Sequence, residues 1–285
     1  MKTLLSIFIL VQLTFLHANN YSLSFDGVDD YVQLADKPIS GSVDQFTILA
    51  SFKTNRLNSE SQYIYYHGGD YKDIGLSLND NYHNSENPNS DYTLEFHIAV
   101  SQGGQGHAYA PEEMISENSW HMAAVVWSGT HVYIYVDGVL ATTIEYNIGG
   151  NFNWDEGPNG PFIGQGNSTG EFDGNINEIV FWDDALTAAE ITALYNSGYG
   201  LSPSSNSGDY ASSSNLKAYW NFNEGTGTTL TDQTSNDNDG TISGATWSTD
   251  VPPTPGEVSN DDVLIEEITL LATEYQALES SVLSD

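Results

Sequence analysis

The segment from residue 120 to residue 146, WHMAAVVWSGTHVYIYVDGVLATTIEY, constrains the fold more than any other part of the chain. It contains three runs rich in Val, Ile, Tyr and Thr, which are separated by a Ser-Gly-Thr turn and by Asp137-Gly138. β-Branched and aromatic residues favour strands, and an Asp-Gly pair between two such runs is typical of a tight hairpin. The first run, residues 122–127, is apolar at every position, which predicts a strand covered on both faces. The segment therefore predicts the centre of an antiparallel sheet.

Short runs of the same kind precede this segment, and clusters of Gly, Asn, Asp and Ser separate them. They lie at residues 21–25, 31–34, 46–52, 62–66, 74–78 and 92–100. Many short strands joined by polar turns predict an all-β sandwich. The sequence Thr-Ala-Ala-Glu at residues 187–190 has the spacing of a capping box, so one short helix is expected to begin there and to end near Tyr195.

Three blocks of the sequence carry a family resemblance. They are SLSFDGVDDYV at residues 22–32, the hairpin segment that begins at Trp120-His121, and FDGNINEIVFW at residues 172–182 with ALTAAEI behind it. In this order they resemble the laminin G-like jelly roll of the concanavalin A-like lectin/glucanase superfamily. The resemblance implies an all-β fold, a two-sheet antiparallel β-sandwich with one short helix. It leaves the function open, because this fold hosts lectins, adhesins and hydrolases.

The chain is expected to have four parts. Residues 1–18 combine an early Lys, a short apolar run and a small residue at the break, which is typical of a secretory signal peptide. We therefore expect a secreted protein, located outside the cell or at its surface. Residues 19–250 are the expected jelly roll, and residues 251–260 a Pro-rich linker. Residues 261–285 have the apolar spacing of an acidic amphipathic helix.

The role of the C-terminal helix has several alternatives. It could dock on the jelly roll, remain half-formed in solution, or contact a protein partner through its heptad-like seam. Its flanks carry Glu and neither Lys nor Arg, which disfavours pairing with a second copy of itself. No segment after the signal peptide is apolar enough to insert into a membrane.

The segment 216–247 resembles a block that in related jelly rolls comes before the Phe25-Asp26-Gly27 motif, whereas here it follows the helix. It contains large apolar residues that need a surface to pack on. We expect it to return beside residues 21–34 and to complete the sandwich, and the alternative is the start of a second domain.

The net charge is −33, from 39 acidic and 6 basic residues. Nucleic-acid binding is excluded, because phosphate recognition needs clustered Lys and Arg, and binding to anionic lipid is disfavoured for the same reason. The acidity could serve solubility alone, or some carboxylates could bind Ca²⁺, which prefers oxygen ligands. The chain has no Cys, so the fold must rely on packing instead of disulfides.

The family resemblance implies a calcium site where the opening and closing strands meet. Related domains use the Asp of the Phe-Asp-Gly block and an acid after the closing Gly-x-Ile, and these positions are Asp26 and Asn177 here. Asn177 keeps a carbonyl oxygen but lacks the charge, so a weak Ca²⁺ site, or none, is expected.

Long polar loops that contain aromatic residues suggest a ligand site for carbohydrate or a glycoprotein. Sugar sites combine flat apolar rings with amide and carboxylate hydrogen-bonding groups. The alternative is that these rings fold back and hold each loop on the sandwich. The candidate ligand residues are Tyr71, Tyr82, His83, Tyr109, Trp154 and Asp155.

The sequence favours a non-catalytic protein. The strands lack the Glu-x-Asp-x-Glu pattern that glucanases of this superfamily use, and a glycosidase needs two facing carboxyls. Glu95 and His97 share one strand face, for which a solvated surface is the favoured explanation. A structural or adhesive spacer that contacts only proteins is the alternative function, and a polysaccharide-degrading enzyme that uses Glu95 is a less favoured one.

Overall fold

The computed structural model describes residues 20–57, 60–69, 72–78, 92–100, 104–146, 151–157, 159–167, 169–198 and 200–253. They lie within one compact unit, Asn19–Thr254. The predicted signal peptide, the C-terminal helix with its possible protein partner, and the candidate ligand residues Tyr71, Tyr82 and His83 lie outside the described residues.

In these ranges the chain forms eighteen strands and one α-helix, α1 (Ala188–Tyr195). The strands are β1 (Ser22–Asp26), β2 (Tyr31–Leu34), β3 (Ser42–Val43), β4 (Phe46–Thr54), β5 (Gln62–Gly68), β6 (Ile74–Leu78), β7 (Tyr92–Val100), β8 (Gly104–Pro111), β9 (Trp120–Trp127), β10 (His131–Val136), β11 (Val139–Glu145), β12 (Phe152–Asn153), β13 (Asn159–Ile163), β14 (Asp173–Trp182), β15 (Leu216–Trp220), β16 (Thr229–Leu230), β17 (Gly240–Ser243) and β18 (Thr246–Ser248).

The strands form two main sheets. The first has the order β11-β10-β9-β4-β14-β1-β18, with β15 also paired to β14, and the second has the order β16-β17-β2-β13-β5-β6-β7-β8. Neighbouring strands in both sheets run antiparallel. The predicted two-sheet antiparallel sandwich with one short helix is therefore confirmed.

Strand β9 is covered on both sides, as its apolar sequence predicts. Ala123, Val125 and Trp127 enter the core between the two sheets. The residues between them, including Ala124 and Val126, pack in a second apolar cluster on the outer face of the first sheet, together with residues of α1. Because side chains alternate along a strand, an uninterrupted apolar run requires cover of this kind.

Helix α1 begins where the capping-box spacing places it. The Thr187 side chain accepts a hydrogen bond from the Glu190 backbone N–H, and the Glu190 carboxylate accepts one from the Thr187 N–H at 2.9 Å. Ile191 and Leu194 bury the inner side of the helix against the outer face of the first sheet. The reciprocal cap satisfies two backbone donors that would otherwise lack partners.

The segment that follows the helix contributes strands to both sheets. Strand β15 pairs with β14, β17 pairs with β2, and β18 pairs with β1. Trp220 and Phe222 are fully buried in the main core. The opening strands of the chain therefore have hydrogen-bonded neighbours that come from its last described residues.

Candidate functional site

The register of the second sheet aligns one row of residues across six strands. Gln33 lies opposite Phe162, Phe162 opposite Tyr66, and Tyr66 opposite Gly75. The row continues because Gly75 lies opposite His97, and His97 opposite His107. At least one chain neighbour of each of these residues enters the core, so the row itself points away from the core, as the alternation of side chains in strands requires.

A second row lies beside the first on the same face. Tyr63 lies opposite Ser77, Ser77 opposite Glu95, and Glu95 opposite Tyr109. We refer to the surface formed by the following side chains as the ring face: Tyr63, Tyr66, Glu95, His97, His107, Tyr109 and Phe162.

An irregularity in β5 places two tyrosines on the ring face. The pairing of β5 with β6 shifts by one position between Tyr63 and Tyr65. Ile64 and Tyr65 consequently both enter the core, while Tyr63 and Tyr66 both lie on the outer side. A β-bulge changes which face a side chain joins, and here it raises the number of rings on one face.

The rings contact one another in series across the sheet. The centroids of Tyr63 and Tyr66 lie 5.4 Å apart, and those of Tyr63 and His97 lie 6.0 Å apart. His97 and His107 stack at 6.1 Å, and His107 and Tyr109 at 6.3 Å. Each pair lies within the distance range of attractive ring contacts. The result is a continuous surface of rings from β5 to β8, in which Tyr66 and His97 are buried while Tyr63, His107 and Tyr109 are partly exposed.

Gly75 makes this arrangement possible. A Cβ atom at Gly75 would lie 2.2 Å from Cε1 of His97 and 2.9 Å from Cε1 of Tyr63. The two rings therefore occupy the space that a side chain on β6 would fill.

Glu95 is buried within the ring face and not solvated. Its side chain is only 2 % exposed, and its Oε1 atom lies 2.7 Å from Nδ1 of His107. The interpretation of Glu95 as part of a solvated face is therefore wrong, because neighbouring rings cover it and an imidazole pairs with it. His97 Nε2 lies 3.8 Å from an Asp73 carboxylate oxygen, so both histidines have a carboxylate nearby.

The predicted ligand residues in the described chain fall into different places. Tyr109 lies on the ring face, at the edge strand β8. Asp155 holds its loop in place, since its Oδ1 accepts a hydrogen bond from the Gly41 N–H at 3.0 Å. The residues that sequence reasoning did not propose as ligands are Tyr63, Tyr66, His107 and Phe162.

The prediction that Trp154 faces a ligand is wrong. Its side chain is 0 % exposed and packs on Phe46 at 5.3 Å and on Phe181 at 5.8 Å between ring centroids. Its backbone N–H donates to the Gly41 carbonyl, which turns the ring towards the core. For this residue, the alternative that loop rings fold back on the sandwich is correct.

His67 stacks on Trp154 inside the core, with ring centroids 6.1 Å apart and planes 2° from parallel. Burial disfavours the charged imidazole and lowers the pKa of His67 to about 4. Neither ring nitrogen has a hydrogen-bond partner among the described residues. His67 is therefore a neutral ring of the core and not a part of the ring face.

The predicted calcium ligands have to be corrected, because the structure does not bring Asp26 and Asn177 together. Asp26 lies opposite Asp173, whereas Asn177 is four residues further along β14, or about 13 Å at the rise of a strand. The Asn177 Nδ2 group donates instead to the Tyr21 carbonyl at 2.7 Å.

Asp26 does have carboxylate neighbours in the turn that follows it. Oxygen atoms of Asp26, Asp29 and Asp30 lie within 4.8 Å of one another. Burial raises the pKa of Asp30, and the charges of the other two carboxylates raise it further. This turn is the group of described residues whose oxygen atoms could bind a hard cation. Calcium binding itself stays a prediction.

Comparison with known proteins identifies the family. A laminin G-type family model, described as the concanavalin A-like lectin/glucanases superfamily, matches residues 26–192. The chain belongs to this superfamily. A search of curated proteins finds no match. Among the described residues, no helix is both long and apolar enough to cross a membrane.

Solved structures share the fold at low sequence identity. A Bacteroides ovatus protein proposed to bind carbohydrate is 19 % identical with a TM-score of 0.60, and the match covers 83 % of this chain but only 62 % of that protein. The heptameric SAP-like pentraxin of Limulus polyphemus is 18 % identical with a TM-score of 0.46, covering 62 % of this chain and 82 % of the pentraxin. Domains LG4-5 of the mouse laminin α1 chain are 15 % identical with a TM-score of 0.43, covering 59 % of this chain and 43 % of theirs.

Proposed function

We propose that this protein is a secreted, non-catalytic module that binds carbohydrate through the ring face. The continuous surface of rings from β5 to β8 is the observation that carries the proposal. The apolar C–H faces of a sugar pack on aromatic rings, while polar groups beside the rings bind its hydroxyls. On the ring face, the partly exposed His107 lies beside Tyr109 and supplies such a group, while the buried Glu95 holds the His107 ring in place.

The comparisons support this choice within the superfamily. The Bacteroides ovatus protein, whose fold matches most of this chain, is itself proposed to bind carbohydrate. That similarity concerns the fold, so the ring face has to carry the functional argument for this chain.

The charge of the ring face favours neutral glycans over acidic ones. The strands that form it, β2, β13 and β5 to β8, contain neither Lys nor Arg, and Glu95 is their one acidic residue. The chain as a whole carries a net charge of −33. The acidic protein would repel sulfated or uronate-rich polysaccharides, and the strands of the ring face have no Lys or Arg side chain to bind them.

The same strands argue for binding without cleavage. Glycoside hydrolysis needs two carboxyl groups about 5–9.5 Å apart on opposite sides of the scissile bond. Glu95 is the one acidic residue in the strands of the ring face, and it is buried with its Oε1 atom 2.7 Å from Nδ1 of His107, which does not suit a carboxyl that must face a scissile bond.

An array of neutral and acidic glycans tests the proposal. The wild-type protein is expected to retain neutral glycans, and His107→Ala and Tyr109→Ala should each weaken retention at least tenfold. His131→Ala is the matched control, because His131 also stacks on a tyrosine, at 6.0 Å from Tyr133, but on the first sheet. Equal binding by all variants, or no binding by a folded wild-type protein, would refute the proposal.

The proposal includes one weakly bound Ca²⁺ at the turn of Asp26, Asp29 and Asp30, where it would offset the mutual repulsion of the carboxylates. Added Ca²⁺ should raise the melting temperature, and Asp29→Asn should remove this effect. An equal rise with Na⁺ at matched ionic strength would instead indicate general screening.

A further inference from the structure

A further pair of partly exposed rings lies on the outer side of the second sheet, beyond the strands β5 to β8. Tyr31 of β2 and Phe162 of β13 make an edge-to-face contact, with ring centroids 5.8 Å apart. Their chain neighbours Val32 and Ile163 enter the core, so the two rings point outward. We refer to Tyr31 and Phe162 as the end pair.

The end pair lies in register with the rings of β8. Phe162 belongs to the row of residues that ends at His107. Tyr31 lies two residues before the member of this row on β2, on the side of the row where Tyr63 and Tyr109 also lie. The end pair and the rings of β8 are therefore the two ends of one surface.

The two ends are far apart. Four strand spacings separate Phe162 from His107, which corresponds to about 19 Å at the usual distance between neighbouring strands. Five spacings, or about 24 Å, separate Tyr31 from Tyr109. One sugar ring cannot contact both ends, whereas a chain of several sugar units laid across the strands can.

The rings between the two ends differ in exposure. Tyr66 and His97 are buried, whereas Tyr63 on β5 is partly exposed. A ligand that crosses the strands therefore meets three groups of accessible rings, which are the end pair, Tyr63 and the rings of β8. Each group offers a flat apolar surface to a sugar ring.

Neutral hydrogen-bonding groups accompany the end pair. Gln33 lies opposite Phe162, and its Nε2 donates to the carbonyls of Leu34 at 3.2 Å and Pro161 at 3.1 Å. Because both amide hydrogens are used in this way, Gln33 presents its Oε1 as an acceptor for a sugar hydroxyl. The exposed Thr241, opposite Gln33 on β17, adds a hydroxyl. Strands β2, β13 and β17 contain no charged residue.

We propose that the ring face binds an extended, linear chain of neutral sugar units that lies across the strands, with the end pair as a second anchoring site. The inference rests on the proposed function, since it names the form of the glycan that the ring face binds. Several weak contacts joined in one ligand reinforce each other, because after the first contact the others form within one complex. Affinity should therefore rise steeply with chain length.

Titration calorimetry on the full-length protein tests this inference, with cello-, xylo- and manno-oligosaccharides of two, four and six units. In at least one series, six-unit chains should bind at least tenfold more tightly than two-unit chains. Tyr31→Ala and Phe162→Ala should each remove most of this gain and leave the binding of two-unit chains to the rings of β8 unchanged. The second variant decides the matter if the first does not fold.

Tyr133→Ala is the matched control, because it removes a partly exposed tyrosine from the outer face of the first sheet and should keep the gain. Equal affinity for two-unit and six-unit chains, or a gain that both end-pair variants retain, would overturn the inference and leave the proposed function in place. No binding of any chain would also overturn it and, together with an empty glycan array, would refute the proposed function as well.

Discussion

At the scale of single residues, Gly75 is essential to the ring face because it has no side chain. The rings of His97 and Tyr63 lie over the position that a Cβ atom would occupy. Sequence reasoning had no means to find this role, because an isolated glycine in a strand indicates a bulge or a close approach equally well.

Gly75→Ala should therefore disturb the ring face. The methyl group forces both rings to move, and we expect a loss of about 1–3 kcal/mol in unfolding free energy together with loss of glycan binding. Urea denaturation and the glycan array measure the two effects. Gly208→Ala is the control for glycan binding only: no atom lies within 4 Å of its added Cβ, so binding should be kept, but its φ of 57° strains an alanine and lowers stability by itself. Unchanged binding by Gly75→Ala would contradict the role of the two rings.

His67 should make stability depend on pH. Its pKa is about 4 in the fold against an ordinary 6.5, so the unfolded chain takes up the proton first as the pH falls. The neutral ring contributes fully to the free energy of unfolding above pH 6.5. This contribution decreases by roughly 3 kcal/mol as the pH falls towards 4. His67→Phe keeps the stack on Trp154 but cannot bind a proton. The stability difference between variant and wild type should shift in favour of the variant between these pH values, and a constant difference would contradict the prediction.

The residue-scale errors have a common physical cause. Trp154 stands among Asp, Asn and Gly, which suggests an exposed ring, but its position depends on a backbone hydrogen bond to Gly41, which is distant in the sequence. Glu95 and His97 were placed correctly on one strand face by alternation, yet the burial of Glu95 depends on rings from other strands. Local sequence predicts the face of the strand on which a side chain lies, but not which residues cover that face.

At the scale of elements, patterns within a few residues predicted the structure best. The hairpin of β10 and β11 turns at Asp137-Gly138, where Gly138 has a φ of 75°. The capping box places the start of α1. The ring row was not predictable in the same way, because it depends on the register of six strands and on the bulge in β5, which no local pattern encodes.

The cap of α1 should contribute measurably to stability. Burial alone would raise the pKa of Glu190, but hydrogen bonds from Ser212, Thr187 and Ala211 outweigh burial and lower it. Thr187→Ala removes one of these donors and the acceptor for the Glu190 N–H, so we expect a loss of about 1 kcal/mol in urea denaturation. Ser204→Ala, an exposed change in the following segment, is the control and should alter stability by less than about 0.5 kcal/mol. Equal effects of the two changes would argue against the cap.

At the scale of the whole molecule, the two ends of the compact unit stabilise each other. The need to bury apolar residues led us to expect that the segment after the helix returns to the opening strands. In the structure β17 and β18 pair with β2 and β1, and Trp220 fills part of the main core. The sequence does not predict the order of these strands in the sheets, because the same apolar residues could be buried beside several different strand edges.

Truncation after Gly200 should therefore prevent stable folding. A chain of residues 19–200 leaves two strand edges unpaired and removes Trp220 and Phe222 from the core, which favours aggregation. A chain of residues 19–253 retains both and is the control. Comparison of solubility and of thermal unfolding measures the difference, and equal stability of the two chains would show that the first 200 residues fold alone.

The distribution of tryptophan gives the molecule a built-in optical probe. All six tryptophans lie in the described chain, and none belongs to the ring face. Four of them are buried in the interior, Trp127, Trp154, Trp182 and Trp220, whereas Trp120 lines a cavity on the outer face of the first sheet. Tryptophan fluorescence, excited selectively, should consequently stay unchanged when a glycan docks on tyrosine and histidine, and should respond when a molecule approaches Trp120. The emission spectrum of one unlabelled sample can thus tell the two sides of the sandwich apart.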